Sequence, residues 1–188
     1  MSEQTKLKII NSAKDLFANY GYHSVTMRKI ASEANIRQSD IYNYFSSKDD
    51  MLKKTFDITR KDLGEKRKKV KEEDSFDKDI ANRIKFLFEN SKDVNYILKY
   101  FFQFKSSFQK NEQGYVPNAA YKHIEEVLKK WIGVLNIEEN EIPEQSKIIT
   151  HAINGFVLEY FPNEIEKTEQ NQMINSITRF ISKSLIKV

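Results

Sequence analysis

Apolar side chains recur every three or four residues along almost the whole chain, which is the spacing of one face of an α-helix. The first of these stripes comprises Ile9, Ala13, Leu16, Phe17 and Tyr20. Only 5 Gly and 3 Pro interrupt the 188 residues, too few for the turn-rich strand patterns of sandwiches and barrels. The sequence therefore predicts an all-α fold, and the succession of stripes predicts nine helices.

Residues with special backbone or capping properties mark the helix ends in the first 50 residues. Gly21 tolerates a positive φ and is expected to end the first helix. Thr26 can cap a second, short helix, and Asn35 favours a tight break before a third. Ser47 and Asp50 form the S-x-x-D pattern of a capping box, which predicts the start of a fourth helix.

Two short helices joined by a tight turn, behind a longer supporting helix, predict a helix-turn-helix. In that motif the second short helix projects into the DNA major groove while the first braces it. Ile36, Ile41 and Phe45 remain to anchor this predicted third helix inward. Its other side chains are polar and suit base edges and phosphates: Arg37, Gln38, Ser39, Asp40, Tyr42 and Asn43.

Positive charge is concentrated at the start of the chain. Residues 1–70 hold 15 Lys and Arg against 9 Asp and Glu, whereas residues 71–188 hold 16 against 18. Such an asymmetry suggests that one part of the chain meets a polyanion. The cluster between Lys66 and Lys71 supplies much of the excess, so a solvated basic helix is the alternative interpretation.

The segment from Ala13 to Leu52 resembles the DNA-binding domain of the TetR family of bacterial transcriptional regulators. The matching motifs are A-x-x-L-F at Ala13–Phe17, G-Y at Gly21-Tyr22, V-T-M-R-K-I-A at Val25–Ala31, I-Y-x-Y-F at Ile41–Phe45, S-K at Ser47-Lys48 and M-L at Met51-Leu52. The resemblance implies a helix-turn-helix domain over residues 1–47 and a helical ligand-binding and dimerisation domain over residues 48–188. The fourth helix, about residues 48–71, is expected to link the two.

The resemblance also implies DNA contacts for ten side chains. Thr26 and Lys48 are expected at phosphates, Lys48 together with the positive end of the fourth helix. Arg28 is expected at the backbone or minor groove, and Tyr42 and Tyr44 at phosphates or the groove wall. Base readout falls to the front of the third helix, namely Arg37, Gln38, Ser39, Asp40 and Asn43.

Hydrogen-bonding geometry suits Arg37 to guanine, amide side chains such as Gln38 to adenine, and Asp40 to the cytosine amino group. Family members usually have a small N-cap residue at the position of Arg37, often Gly at Ser39, and commonly Thr at Asp40. Asn35 with Gln38 is therefore an alternative cap for this helix. Asp40 near a polyanion needs a partner, either Arg37 or a cytosine.

Aromatic residues are concentrated between residues 86 and 131, which hold 11 of the 23 in the chain. They occupy more than one helix face, which fits either a packed core or an apolar ligand cavity between helices. By resemblance, this region forms the effector site of the family. The candidate lining for a mostly apolar or aromatic effector is Phe101, Phe104, Phe108, Tyr121, His123 and Trp131.

The last two helices carry broad apolar faces, and small residues on the eighth permit close helix approach. By resemblance, these helices form a four-helix dimer interface with the partner's copies, whereas burial within the monomer is the alternative. The candidate interface residues are Ala152, Gly155, Phe156, Ile174, Ile177 and Ile181.

Several function classes are excluded or disfavoured. The chain has no Cys, which excludes disulfides and thiolate-bound metals, and its three His lack metal-like spacing. No catalytic or nucleotide-binding motif is present, so we expect no enzyme activity, cofactor or metal. No apolar run approaches the roughly 18 residues of a membrane helix, and residues 1–8 are polar, so we expect a cytoplasmic protein without a membrane contact.

Together these observations predict a homodimeric TetR-like regulator, most simply a repressor that binds a palindromic double-stranded DNA operator. A small-molecule effector is expected to release it. Two alternatives remain open at this point. One is a ligand-independent architectural DNA-binding protein, and the other is a helical enzyme or protein-interaction adaptor that does not bind DNA.

Overall fold

The computed structural model describes the chain except for residues 1, 109–115, 161–165 and 188, and it leaves the side chains of residues 101–119 and 160 undescribed. Within this part of the chain there are nine α-helices and no β-strand, which confirms the predicted all-α class. The helices are α1 (Glu3–Ser24), α2 (Met27–Glu33), α3 (Gln38–Ile41), α4 (Lys48–Arg67), α5 (Phe76–Glu89), α6 (Ser91–Phe108), α7 (Val116–Trp131), α8 (Ile142–Tyr160) and α9 (Lys167–Leu185). None of the described helices is both long and apolar enough to cross a membrane.

The predicted helix ends are found where local side-chain chemistry places them. Gly21 has φ 73° and kinks α1 at the predicted end, although α1 continues to Ser24, and Asn35 has φ 54° in the turn before α3. The Thr26 hydroxyl accepts from the Lys29 amide at 3.2 Å and caps α2. The Ser47 hydroxyl accepts from the Asp50 amide at 3.0 Å at the start of α4, as the capping-box pattern predicts.

The chain divides into two compact units. Unit 1 comprises Met1–Lys66 and Lys92–Phe102, and unit 2 comprises Arg67–Ser91 and Gln103–Val188. Helix α6 therefore contributes residues to both units. The boundary expected after residue 47 falls inside unit 1, because α4 and part of α6 are built into it.

Unit 1 is organised around the α1–α4 core, to which its part of α6 is fixed by polar contacts. Tyr96 is 2% exposed and its hydroxyl donates to the Leu52 carbonyl at 3.2 Å. The Lys99 ammonium donates to the Ala18 carbonyl at 2.7 Å. Fully buried side chains from α1, the helix-turn-helix and α4 fill the centre: Ile9, Ala13, Val25, Ile30, Ile41, Phe45 and Met51.

A third polar contact in unit 1 joins three helices through one carboxylate. Asp93, at the start of α6, accepts from Lys14 at 2.7 Å and from Lys66 at 3.2 Å. Burial by itself raises the pKa of Asp93, but the hydrogen bonds from Lys14 and Lys66 outweigh it and hold that pKa below its usual value. The ionised carboxylate thus ties α6 to α1 and α4.

Unit 2 has its own core, in which α5 packs against α7 and α9, and α7 packs against α8. At one end of it, the carboxylate of Asp79 is 1% exposed and accepts from Trp131 Nε1 at 2.8 Å, Lys130 Nζ at 3.0 Å and the Glu73 amide at 3.3 Å. The apolar centre is formed by Phe76, Ile80, Ile84, Phe88, Ile124, Val127, Leu128, Ile149, Ile153, Ile174, Ile177, Ile181 and Leu185.

Candidate functional site

The short helix α3 is held by a few fully buried side chains. Ile41 and Phe45 are both 0% exposed, and Ile30 on α2 is equally buried. The turn between α2 and α3 is closed by the Ile36 amide, which donates to the Ala31 carbonyl at 3.0 Å. These contacts fix the direction of α3 and leave its remaining side chains free of the core.

The polar residues predicted to contact DNA lie on the surface of this rigid support. Tyr42 is 50% exposed, and Tyr44 is half-buried beside the core. The other predicted side chains of α3 and its flanks are exposed: Arg37, Gln38, Ser39, Asp40 and Asn43. The structure therefore gathers the predicted base-reading residues on one exposed segment.

The cap of α3 differs from the expectation. Arg37 is the N-cap residue and makes no side-chain capping bond, and no bond between Asn35 and Gln38 caps the helix among the described residues. Asp40 accepts from the Ser39 hydroxyl at 3.2 Å, and not from Arg37, within the described part of the chain. In the part of the chain that the structure describes, no acid pairs with the Arg37 guanidinium at the exposed front of α3.

The N-terminus of α2 presents a second group of polar side chains. Thr26 and Arg28 are both exposed, and the Thr26 hydroxyl retains its own proton as a donor while it caps α2. Sequence reasoning missed Lys29, whose ammonium lies 3.5 Å from the centre of the Tyr20 ring. The spacing of nine residues between Tyr20 and Lys29 does not by itself predict a contact. The two side chains meet because the chain turns at Gly21 between them.

Lys48 lies in a more specific environment than a solvated lysine. Its ammonium donates to the carbonyls of Tyr22 and Val25, each at 3.0 Å, and lies 4.1 Å from the centre of the Tyr22 ring. These bonds tie the start of α4 to the α1–α2 connection. An ammonium has three donors, so one remains for a phosphate.

Tyr22, which sequence reasoning also missed, completes this junction. Its hydroxyl donates to the carboxylate of Asp49, on the first turn of α4. Burial and then the hydrogen bond to Asp49 raise the pKa of Tyr22 to about 12, so it stays a neutral donor. The G-Y motif marks this position in sequence but not the partner, which is 27 residues away.

The expected effector-lining residues do not share one environment. Tyr121 hydrogen-bonds His151 Nε2 at 2.9 Å, while Trp131 is bound to Asp79. His123 contacts Arg83, and since it lies two residues after Tyr121 it points to another side of α7. Phe101, Phe104 and Phe108 fall in α6, but their side chains lie outside the described residues.

His123 belongs to a basic cluster in unit 2 that sequence reasoning did not find. Its Nε2 accepts from Arg83 Nη1, and its Nδ1 lies 3.5 Å from the exposed Glu126 carboxylate. Burial, and then the charges of Arg83 and Arg67, lower the pKa of His123 to about 3, so the ring is neutral. In the sequence, Arg83 follows Ile80 by three residues and so lies at the edge of an apolar stripe. That position was the one indication that the Arg83 side chain would be partly buried.

The expected dimer-interface residues divide into two groups. Ile174, Ile177 and Ile181 are 3–6% exposed and pack against α5 within the same chain, which corrects their expected place at an interface. The spacing of these isoleucines predicted that they share one buried face of α9, but it did not show which helix covers that face. Gly155 and Phe156 are exposed and Ala152 is half-buried, so these three remain on the surface side of α8.

Exposed apolar side chains on α8 and α9 were missed by the sequence prediction. Ile148 is 54% exposed and Phe180 is 70% exposed, compared with 37% for Phe156. Ile148, Ala152, Gly155 and Phe156 follow one another at helical spacing on α8. The surface stripe of α8 and Phe180 of α9 are thus two places in unit 2 where apolar side chains stay exposed.

Comparison with known proteins places the helix-turn-helix in a family. Residues 9–55 match the family model described as bacterial regulatory proteins, tetR family. The chain carries the DNA-binding domain of the TetR family of bacterial regulators. It is a DNA-binding transcriptional regulator with the helix-turn-helix architecture that the motifs between Ala13 and Leu52 indicate.

Individual relatives show how far this TetR-family likeness extends. The regulator HbdR of Aromatoleum sp. (strain CIB) is 42% identical over 50 residues, which span 27% of this chain and 22% of that protein. The regulator QacR of Staphylococcus aureus (strain Mu50) is 24% identical over 194 residues, covering 97% of this chain and 98% of QacR. The full-length likeness to QacR is therefore at lower identity than the 50-residue match to HbdR.

Solved structures share the fold at low identity. A transcriptional regulator from Saccharomonospora viridis, solved in complex with choline, superposes with a TM-score of 0.75 over 100% of both chains. Its sequence identity to this chain is 17%. This similarity confirms the TetR-like fold.

Proposed function

We propose that this TetR-family regulator binds a palindromic operator as a homodimer and represses transcription until an effector releases it. The observation that carries the DNA-binding part is the exposed polar surface of α3 on a fully buried support. Ile41 and Phe45 fix the helix, while Arg37, Gln38 and Asn43 are exposed. A fixed helix that presents guanidinium and amide groups matches the donors and acceptors of base edges in the major groove.

Phosphate contacts are assigned to the side chains around this helix. The Thr26 hydroxyl proton, the exposed Arg28 guanidinium and the third donor of Lys48 are available at the N-termini of α2 and α4. The positive end of a helix favours an anion, so both termini add to these side chains. Contacts of this kind position the protein, and the residues of α3 select the sequence.

Dimerisation is supported by the apolar surface of α8 and α9. Ile148, Phe156 and Phe180 are large apolar side chains left exposed by the chain, and Gly155 permits close helix approach. Covering them by a second copy gives a two-fold dimer with the same residues on both sides. Such a dimer reads two half-sites about one helical turn of DNA apart, which matches a palindrome.

Release by an effector is proposed as a population shift. The effector binds more tightly to a dimer whose two α3 helices are not spaced for the operator, and so it increases the population of that dimer. The loss of operator affinity is at most the difference between the effector's binding free energies for the two states of the dimer. The crystallised complex of the Saccharomonospora neighbour with choline supports a small-molecule role for this fold. In this chain, unit 2 supplies the half-buried His123 as a candidate ligand contact, since Tyr121 and Trp131 are bound to His151 and Asp79 in separate environments.

The DNA proposal is tested by fluorescence anisotropy with a palindrome selected from random DNA and with a scrambled duplex at the same salt concentration. We expect a preference of about 1,000-fold or more for the palindrome. Equal affinity for both duplexes would identify an architectural DNA-binding protein. Absence of salt-sensitive binding to either duplex would favour a protein-interaction adaptor.

Single substitutions separate readout from positioning. Gln38→Ala is expected to change the preferred base at its position, whereas Tyr44→Phe weakens binding to all sequences alike. Ser32→Ala, at an exposed position of α2, is the control and leaves both properties unchanged. An unaltered preference of the Gln38 variant would remove that residue from the base contacts.

The dimer proposal is tested by light scattering after size-exclusion chromatography. Phe180→Glu is expected to give a folded monomer, because it places a charge in the apolar surface that the partner covers. Lys122→Glu, at an exposed position of α7, is the charge-change control. A dimeric Phe180 variant would place the interface elsewhere.

A further inference from the structure

Unit 2 contains two arginines and a histidine that approach one another from three helices. Arg67 is the last residue of α4, Arg83 lies in the middle of α5, and His123 lies on α7. All three side chains are half-buried, and Arg83 contacts His123 directly. The Arg67 guanidinium lies 5.9 Å from the centre of the buried Phe86 ring.

The cluster carries positive charge without a committed counter-charge. Among the described residues, neither Arg67 nor Arg83 has a carboxylate within ion-pairing distance. The nearby acid Asp79 is already bound to Lys130 and Trp131. The charge of Glu126 acts on both guanidiniums, but Glu126 is 74% exposed and its carboxylate lies 3.5 Å from His123 Nδ1.

Arg83 also has unused hydrogen-bonding capacity. Its Nη1 is taken by His123, while its Nε is buried and has no hydrogen-bond partner among the described residues. A buried donor without an acceptor is costly unless something else supplies the acceptor. The unused Nε lies on a guanidinium edge, which is the geometry that binds a carboxylate or phosphate through two parallel hydrogen bonds.

Two like charges in a half-buried site oppose each other. Burial, and then repulsion from Arg83, lower the pKa of Arg67, and burial lowers that of Arg83, yet arginine stays protonated in proteins. The ring of His123 is neutral beside them, so it adds no third positive charge to the cluster. An anion placed among the three groups would remove the repulsion and satisfy the free donor.

We propose that Arg67, Arg83 and His123 form the head-group site for an effector that carries a carboxylate or phosphate on an apolar body. The apolar side of the site is supplied by Phe86, over which Arg67 lies. The inference rests on the proposed effector-controlled function and specifies the charge of the ligand. It predicts that unit 2 discriminates against cationic compounds of the same shape.

The test compares matched anions and cations by binding to the full-length protein without DNA. The probes are octanoate with octyltrimethylammonium, and phenyl phosphate with phenyltrimethylammonium. Unfolding is followed through the fluorescence of Trp131, the single tryptophan, and affinity by calorimetry. We expect at least one anion to raise Tm saturably, by about 5 °C or more at 100 times its Kd, while its cationic counterpart has no effect.

Variants locate the site. Arg83→Gln and Arg67→Gln are each expected to weaken anion binding at least about tenfold, because each removes a charge-assisted contact. Lys85→Gln is the matched control on α5, since Lys85 is 57% exposed and pairs only with the exposed Glu89. If Arg83→Gln does not fold, Arg67→Gln and Arg83→Lys carry the test.

The proposal is overturned if none of the anions stabilises the protein, if the cations stabilise it equally, or if the arginine variants bind the anions as wild type does. Operator binding is measured separately by anisotropy. A protein that binds anions but not DNA would contradict the regulatory proposal while supporting this site. A protein that binds its operator but no anion would support the regulatory proposal and contradict this site.

Discussion

Replacing Asp79 by asparagine would remove a negative charge from the interior of unit 2 while almost preserving the shape of the side chain. Asp79 is 1% exposed, and its Oδ2 accepts from both Lys130 and Trp131 while its Oδ1 accepts from the Glu73 amide. An amide has one acceptor oxygen and one donor nitrogen. Whichever way it is turned, a donor faces a donor.

The least costly orientation keeps the amide oxygen on Lys130 and Trp131 and turns the amide nitrogen toward the Glu73 amide. That orientation loses the weaker bond, 3.3 Å long, at a cost of about 1 kcal/mol. It also converts two bonds to a charged acceptor into bonds to a neutral one, which costs about another 1–2 kcal/mol. We therefore expect Asp79→Asn to lower the free energy of unfolding of unit 2 by about 2–3 kcal/mol.

Trp131 makes the assay specific, because it is the only tryptophan and is itself bound to Asp79. Urea unfolding followed by its emission reports unit 2, and the control is Asp77→Asn at an exposed position of α5. The control is expected to change the free energy by about 0.5 kcal/mol or less. An Asp79 variant within that range, with unchanged emission, would refute the assignment of Asp79 as the polar anchor.

Acid gives an independent check of the same reasoning. Burial by itself raises the pKa of Asp79, but the hydrogen bonds from Trp131, Lys130 and Glu73 outweigh it and hold the pKa below its usual value. A carboxyl group with a depressed folded-state pKa contributes stability above its unfolded pKa of about 3.9, and loses it as the pH falls through the folded value. The wild type should lose this contribution below about pH 4, and the asparagine variant should show a smaller loss.

Three further predictions follow from the backbone and from unit 1. Gly21→Ala should lower the stability of unit 1 by about 1–2 kcal/mol, because φ 73° strains any residue with a Cβ although no atom lies within 4 Å of that Cβ; an unchanged urea midpoint would contradict it. Gly155→Ala should raise the stability of the monomer by about 0.5–1 kcal/mol, because a Cβ at this position has no atom within 4 Å among the described residues. The same substitution should weaken the dimer, as measured by dilution. An unweakened dimer would exclude close approach of two helices at Gly155. Asp93→Asn should lower the free energy of unfolding of unit 1 by about 1–2 kcal/mol above pH 5, measured in urea, and by less near pH 3. The reason is that the depressed pKa of Asp93 reflects its bonds to Lys14 and Lys66, and acid removes the stability that these bonds contribute. An equal loss at both pH values would argue against the ion pairs.

The features that sequence predicted well depend on a few neighbouring residues. The positive φ of Gly21 and Asn35 and the caps by Thr26 and Ser47 follow from local chemistry, and the structure has them. The cap of α3 stayed open in the sequence, which offered Asn35 with Gln38 as an alternative, and in the structure the N-cap residue Arg37 makes no side-chain capping bond.

The features that sequence missed depend on pairing between distant elements. Periodicity identified the isoleucine stripe of α9 but did not show whether a second copy or α5 covers it, and the exposed Phe180 is on another face. The contact between Arg83 and His123 joins residues 40 apart. Lys48 was expected at a phosphate by resemblance, but its bonds to two backbone carbonyls on the α1–α2 connection were not foreseen.

The discontinuity of unit 1 has a consequence for exchanging parts between regulators. Residues 92–102 are separated in the gene from the helix-turn-helix, yet they hold the buried Tyr96 and the carboxylate of Asp93 that complete the same core. A hybrid joined after residue 66 would inherit this segment from the wrong parent. A functional chimera therefore requires two crossovers more than a simple fusion, so that the DNA-binding domain is transferred together with its own piece of α6.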